Sequence, residues 1–191
     1  PELRHCWDEH IERAFGVKRQ DFFEQYISEV FVKEVLVGKA DLHDTLSVVL
    51  PRIGYGGDAQ NFIDYWLKND ARLNTALLEQ VAKLAALPDV TLYIATNQEH
   101  NRAQYLMEDL GLKRYFNDIY YSARLGHMKP SPAYFAGIEA DIGVEAGRDI
   151  ILFDDTQVVI DGANAFGWQG HQFDGVQDLA KSTRIKNLLQ L

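Results

Sequence analysis

Three polar clusters stand at or beyond the ends of short apolar runs in the 191-residue chain. Thr96-Asn97 follows Val90-Thr91-Leu92-Tyr93-Ile94-Ala95, Lys129 lies in the segment beyond Ile119-Tyr120-Tyr121, and Asp154-Asp155 follows Ile150-Ile151-Leu152-Phe153. Together they offer a hydroxyl, an amide, an ammonium and two carboxylates, which suits the binding of an anion beside a divalent cation. Each cluster also has an ordinary reading. Thr96-Asn97 can turn the chain and cap the next helix, and a loop lysine is usually a solvated side chain. Adjacent aspartates at a strand end are harder to dismiss, since crowded like charges repel unless a cation offsets them.

The elements that must position these groups fall into two regimes. Over residues 1–72 apolar positions recur at spacings of three and four: Leu3, Trp7, His10, Ile11 and Ala14, then Phe22, Phe23, Tyr26, Ile27, Val30 and Phe31. Leu42, Leu46, Val49, Leu50 and Ile53 repeat the pattern up to Gly54-Tyr55-Gly56-Gly57, and Phe62, Ile63, Tyr65 and Trp66 mark a fourth segment. Short connections between four such segments predict a small antiparallel helical bundle, with the aromatic stripe as its core. From residue 73 helices alternate with short apolar runs. Asn74 can cap a helix that ends before Pro88, Gly111 and Gly167 are natural stops, and Ser131-Pro132 is an N-cap followed by proline at the first helical position. Strands are predicted over 90–95, 119–121, 150–153 and 171–173. Such alternation predicts an α/β fold with a doubly wound parallel sheet over residues 73–191. Ligands of such sheets bind at the carboxyl ends of the strands, where the three clusters stand.

Composition limits the function. The net charge is −9 and the 19 basic residues are scattered, which opposes nucleic acid as a partner. No run approaches the roughly 20 apolar residues of a membrane span, so no membrane partner is expected. One cysteine, Cys6, and the lack of a secretory signal fit a reducing, cytoplasmic compartment. The six histidines show no metal-ligand spacing, His5 and His10 included, and are read as surface or capping groups, with His100 and His127 near enough to the clusters to meet a substrate.

The ordered set of clusters resembles the haloacid dehalogenase superfamily. Ile94-Ala95-Thr96-Asn97 is similar to its second motif, Lys129-Pro130 with Phe135 to its third, and Phe153-Asp154-Asp155 with Gly162-Ala163 and Gly167-Trp168 to its fourth. Residues 1–72 sit where the family inserts a helical cap. The resemblance implies a Rossmann-like core with that cap and a hydrolase of small phosphorylated metabolites that uses Mg²⁺ and an aspartyl-phosphate intermediate. It implies a catalytic and substrate-binding role for Thr96 and Lys129, substrate binding by Asn97, and metal binding by Asp154 and Asp155. A haloacid dehalogenase, which needs no magnesium, and a non-catalytic binding protein are the alternatives. A monomer or homodimer is expected.

Two features depart from the family pattern. Val159 stands where an Asn often lies five residues beyond the first aspartate. The family's first motif, Asp-x-Asp at the end of a central strand, is absent, and Asp41-Leu42-His43-Asp44-Thr45 has the wrong spacing and a helical pattern. The expectation is that this strand and motif lie upstream of Pro1, and that strands 90–95 and 150–153 flank a slot the given residues do not fill. Replacing Lys129 is expected to lower activity far more than stability.

Overall fold

The computed structural model describes residues 7–143 and 149–191. Leu3, His5 and Cys6 lie outside them. A 3-10 turn, Trp7–His10, leads into α1 (Ile11–Phe15). After α2 (Arg19–Phe22) the chain widens into a π-helical stretch, Phe23–Val35, in which the Leu36 N–H donates to the Phe31 carbonyl at 2.8 Å. The spacing predicts an α-helix there; the wider winding brings Tyr26 and Phe31, five residues apart, to within 6.1 Å between ring centres. In α3 (Leu42–Val49) the Asp41 carboxylate accepts from the Asp44 N–H, and in α4 (Ala59–Asp70) Asp58 does the same for Gln60. Phe22, Tyr26, Leu46, Phe62 and Ile63 are almost wholly buried among these helices. Each such side chain contributes on the order of 1.5–3 kcal/mol. Trp7 stacks on Trp66, ring centres 4.6 Å apart, and closes the top of this core.

The second regime starts with α5 (Thr75–Ala85), capped by Asn74 as its sequence predicts. It continues through β1 (Tyr93–Thr96), α6 (His100–Met107), β2 (Asp118–Tyr121), α7 (Ser122–Leu125) and α8 (Pro132–Ile142), whose N-cap is Ser131. β3 (Ile151–Asp154), α9 (Gln157–Phe166), β4 (Gln169–Gln172) and α10 (Thr183–Leu189) complete it. The fold is α/β with a helical bundle, as the alternation and periodicity predict. β1 starts later than its apolar run because its ladder has a partner only from Asp118 onward, preceded by one bond from the Asn117 N–H to the Leu92 carbonyl. The helical end of the chain, a 3-10 stretch Val176–Lys181 and then α10, carries no signal that the sequence reading used. It is held by Leu179, Ile185 and Leu189, which pack on Leu84 of α5.

Gly38 sets how closely the bundle meets the core. Its φ is +70°, and a Cβ there would stand 2.2 Å from the Ala123 carbonyl oxygen of α7. Among the described residues no larger residue fits that junction without moving one of the two backbones.

The strands form two parallel pairs. Tyr93 is in register with Asp118 in β1·β2, and Ile151 with Gln169 in β3·β4. β1 and β3 do not pair with each other. Between them lies a cavity of about 370 Å³, walled by Leu92, Ile94 and Ala95 on one side and Ile151, Leu152 and Phe153 on the other. The Leu92 carbonyl faces β2, and those of Ile150 and Asp154 face β4. Strand alternation therefore turns the backbone groups of Tyr93, Ala95, Ile151 and Phe153 toward the cavity.

In hydrogen–deuterium exchange of residues 1–191, the amides of Ile151 and Phe153 should exchange at least about tenfold faster than that of Leu152, and Tyr93 and Ala95 faster than Ile94. Equal protection on both edges would show that the slot is filled.

Candidate functional site

The three clusters converge at the carboxyl ends of β1 and β3. Lys129 reaches there from the segment between α7 and α8, and its position is fixed by Asn97. The Asn97 side-chain oxygen accepts from the Lys129 N–H at 2.8 Å, and its amide nitrogen donates to the Lys129 carbonyl at 3.1 Å. One side chain thus holds both backbone groups of a residue 32 positions away. The Lys129 ammonium donates to the Ala95 carbonyl at 2.8 Å and to the Asp154 carboxylate at 2.5 Å. Both side chains are 9% exposed.

The cation that offsets Asp154 is therefore this lysine, and its burial opposes the reading of Lys129 as a solvated loop residue. The other oxygen of Asp154 accepts from the Thr156 N–H at 2.9 Å, so the carboxylate also turns the chain into α9. Asp155 is exposed, and one of its oxygens accepts from the Thr156 hydroxyl at 3.2 Å. Thr96 is half-buried at the end of β1. Its carbonyl lies 3.3 Å from the Tyr134 hydroxyl, which donates more closely, at 2.7 Å, to the Tyr120 carbonyl. Burial pushes the Tyr134 phenol well above its usual range, so it stays a neutral donor that ties the end of β1 to β2 and α8.

Gly162 of α9 matters through proximity. A Cβ on it would meet the Pro130 Cβ at 2.7 Å and the Pro130 carbonyl at 3.0 Å. The helix that follows Asp154 thus lies directly against the segment carrying Lys129. Val159, where the family pattern often has Asn, is 5% exposed and packs in the apolar cluster with Tyr134 and Phe135.

Several residues that shape this region were not singled out from the sequence. Glu99, 3% exposed, caps α6 by accepting from the Asn101 and Arg102 N–H groups at 2.7 and 2.6 Å. The buried Arg102 donates to the Leu67 carbonyl at 3.3 Å and to the Asp70 carboxylate, which clasps α6 to the end of α4. A Glu directly before a helix was a legible cap signal; an Arg–Asp pair 32 residues apart was not. His100 is exposed, with Nδ1 3.1 Å from the Tyr121 hydroxyl. His171 is half-buried rather than a surface group: its ring centre lies 5.4 Å from that of Phe153, its Nε2 is buried with no hydrogen-bond partner among the described residues, and burial lowers its pKa below the usual value. Among the described residues, the one group of three metal-capable side chains in mutual reach is Asp41, His43 and Asp44, exposed on the bundle, with Asp41 capping α3. Also among them, no helix is long and apolar enough to cross a membrane.

A family model described as a haloacid dehalogenase-like hydrolase matches residues 1–167. No curated protein matches the chain. Among solved structures, a haloacid dehalogenase family enzyme of Bacteroides thetaiotaomicron is similar with a TM-score of 0.75 at 15% identity, over 95% of this chain and 90% of that one. The same enzyme in complex with magnesium and inorganic phosphate is similar at 0.72 and 15% identity, over 90% and 86%. The L-2-haloacid dehalogenase of Xanthobacter autotrophicus with chloropropionic acid covalently bound is similar at 0.61 and 20% identity, over 95% and 81%.

Lys129→Met should leave the nearly buried Asp154 carboxylate uncompensated and lower stability by about 3 kcal/mol. This differs from the expectation that its loss would lower activity far more than stability. Adding Asp154→Leu should recover much of the loss, as read from denaturant midpoints of the two single variants and the double variant. A change in Lys129→Met below about 0.5 kcal/mol would restore the solvated reading.

Proposed function

Since the chain belongs to the haloacid dehalogenase-like hydrolases, we propose that it serves as a magnesium-dependent phosphatase of a small phosphorylated metabolite. The observation that carries this reading is the Lys129 ammonium, held 2.5 Å from Asp154 and 2.8 Å from the Ala95 carbonyl, with Thr96 and Asp155 at the adjoining strand ends. Phosphoryl transfer asks a protein chiefly for positioning and charge stabilisation, and these groups suit both. Under this reading the Thr96 hydroxyl and the Asn97 backbone N–H donate to phosphoryl oxygens. Lys129 lies against the same charge, with Asn97 fixing its backbone.

Asp154 and Asp155 fit Mg²⁺ by donor type, because this ion commonly takes one or two carboxylates and completes its shell with water and substrate phosphate. When bound, the ion would polarise a phosphoryl oxygen and offset its charge. Residues 1–191 contain no Asp-x-Asp. The reading takes the nucleophile and the acid/base from that motif on a strand N-terminal to Pro1, seated between β1 and β3 and so beside Lys129. The same proposal has a cytoplasmic protein acting as a monomer or homodimer on a metabolite, with neither nucleic acid nor membrane as partner. A dehalogenase is the second reading, supported by the likeness to the Xanthobacter autotrophicus enzyme. Halide displacement at carbon gives Asp155 no cation to hold, and this favours the phosphatase.

The full-length protein should release inorganic phosphate from a panel of phosphate monoesters in the presence of Mg²⁺ and lose that activity in excess chelator. Asp155→Ala should lower turnover by at least about tenfold, with Asp155→Asn between it and the parent. Undiminished release in excess chelator overturns the magnesium assignment, and halide release from 2-chloropropionate without phosphate release would favour the dehalogenase.

A further inference from the structure

A second cavity, of about 240 Å³, lies where the bundle meets the loop between β1 and α6. Its walls on the bundle side are Ile27, Phe31, Leu42, Ile63 and Trp66. On the other side stand Asn97, Gln98, Glu99 and Arg102, so the cavity shares Asn97 with the site of Lys129 and Asp154. We infer that this cavity seats the organic part of the substrate, and that this part is apolar: an aromatic or branched aliphatic group rather than a sugar. The inference rests on the phosphatase reading for its phosphate end and goes beyond it in naming the class of ester.

The apolar wall is half of the argument, and the polar wall is the other half. Each ionisable or amide side chain there, Gln98 apart, is already engaged within the protein. Asn97 holds the Lys129 backbone, Glu99 caps α6 with both oxygens, and Arg102 is directed at Asp70 and the Leu67 carbonyl. A polyol entering here gives up water for each hydroxyl and finds few partners, whereas an apolar group gains by leaving water. Charge selects in the same sense, since Arg102 is matched by Asp70 and draws no further anion into the cavity. Size sets the scale. An apolar cavity of about 150 Å³ accepts benzene, so 240 Å³ holds one aromatic ring with a short arm.

The test uses non-hydrolysable probes, so that binding is read apart from turnover. In the presence of Mg²⁺, calorimetry and indole fluorescence of the full-length protein should show 2-phenylethylphosphonate binding at least about tenfold more tightly than methylphosphonate or ribose 5-phosphonate. Ile27→Asn, at a half-buried wall position, should bring that ratio down toward one. Phe31→Ala, also half-buried, should shift the preference from phenylethyl to the bulkier 2-(1-naphthyl)ethylphosphonate, a change of size selectivity that simple loss of stability does not produce. Equal binding of the three probes, or preference for the sugar, overturns the inference. A retained apolar preference without hydrolysis of any monoester supports it and instead overturns the phosphatase reading.

Discussion

Among the described residues, the Lys129–Asp154 ion pair joins two strands that no backbone ladder joins. β1 and β3 belong to separate ladders, and at their carboxyl ends one ammonium bonds the Ala95 carbonyl of the first and the Asp154 carboxylate of the second. In such partial burial a charge pair is retained only when its geometry satisfies both members, because removal from water costs several kcal/mol per ion. The surroundings supply that geometry. Asn97 grips the Lys129 backbone from the β1 side, the Thr156 N–H holds the free Asp154 oxygen, and Gly162 lets α9 approach Pro130 more closely than a side chain would allow. Three segments distant in sequence are thereby required to agree on the position of one nitrogen.

The bundle is attached to this core by a different kind of contact. Its interior is a dense aromatic cluster in which Phe22 packs within 6 Å of both Phe62 and Trp66, ring centre to ring centre. That cluster needs nothing from the α/β part. The junction instead uses Gly38 against Ala123 and the clasp of Arg102 on Asp70 and the Leu67 carbonyl. Where the bundle meets the loop between β1 and α6, the 240 Å³ cavity lies beside the Arg102 clasp. Packing within each unit and recognition between them are therefore carried by different residues.

The fold class was legible because its signals are local. Periodicity marked the bundle helices, and Asn74 and Ser131 marked helix starts that the side-chain caps reproduce. Two of the three clusters were legible for a related reason: Thr96-Asn97 and Asp154-Asp155 end strands, so topology brings them to one edge, and Asn97 draws the segment carrying Lys129 there. Signals that depend on pairing were weaker. Where β1 begins is decided by Asp118 and Asn117 on another strand, and no pattern within residues 90–95 carries that. Lys129 was visible as a residue type but not as a buried group, since its burial comes from Asn97, Ala95 and Asp154 closing around it. Arg102 and Asp70 were invisible in the same way. The helix over 183–189 rested on Leu84 for its reason to fold, a contact just over a hundred residues back in the chain.

The slot and the site pose one electrostatic question. Ala95 and Phe153 turn backbone groups toward the slot, and the Lys129 ammonium already occupies the Ala95 carbonyl at its carboxyl end. Any strand seated between β1 and β3 runs out against that ammonium, so completing the sheet and arming the site involve the same nitrogen. Among the described residues, the Lys129 ammonium is bonded to Asp154, and Asp155 stands beside that carboxylate in a chain whose net charge is −9. A phosphate dianion, or further carboxylates carried on an added strand, would meet an excess of negative charge at that mouth. At a separation of about 4 Å and an effective dielectric near 20, each such like-charge pair opposes binding by about 4 kcal/mol. One lysine cannot offset several of these terms, whereas a divalent cation between the carboxylates and the phosphate reverses their sign. If the ligand is a phosphate, as the phosphatase reading has it, charge balance at that mouth asks for a cation besides Lys129.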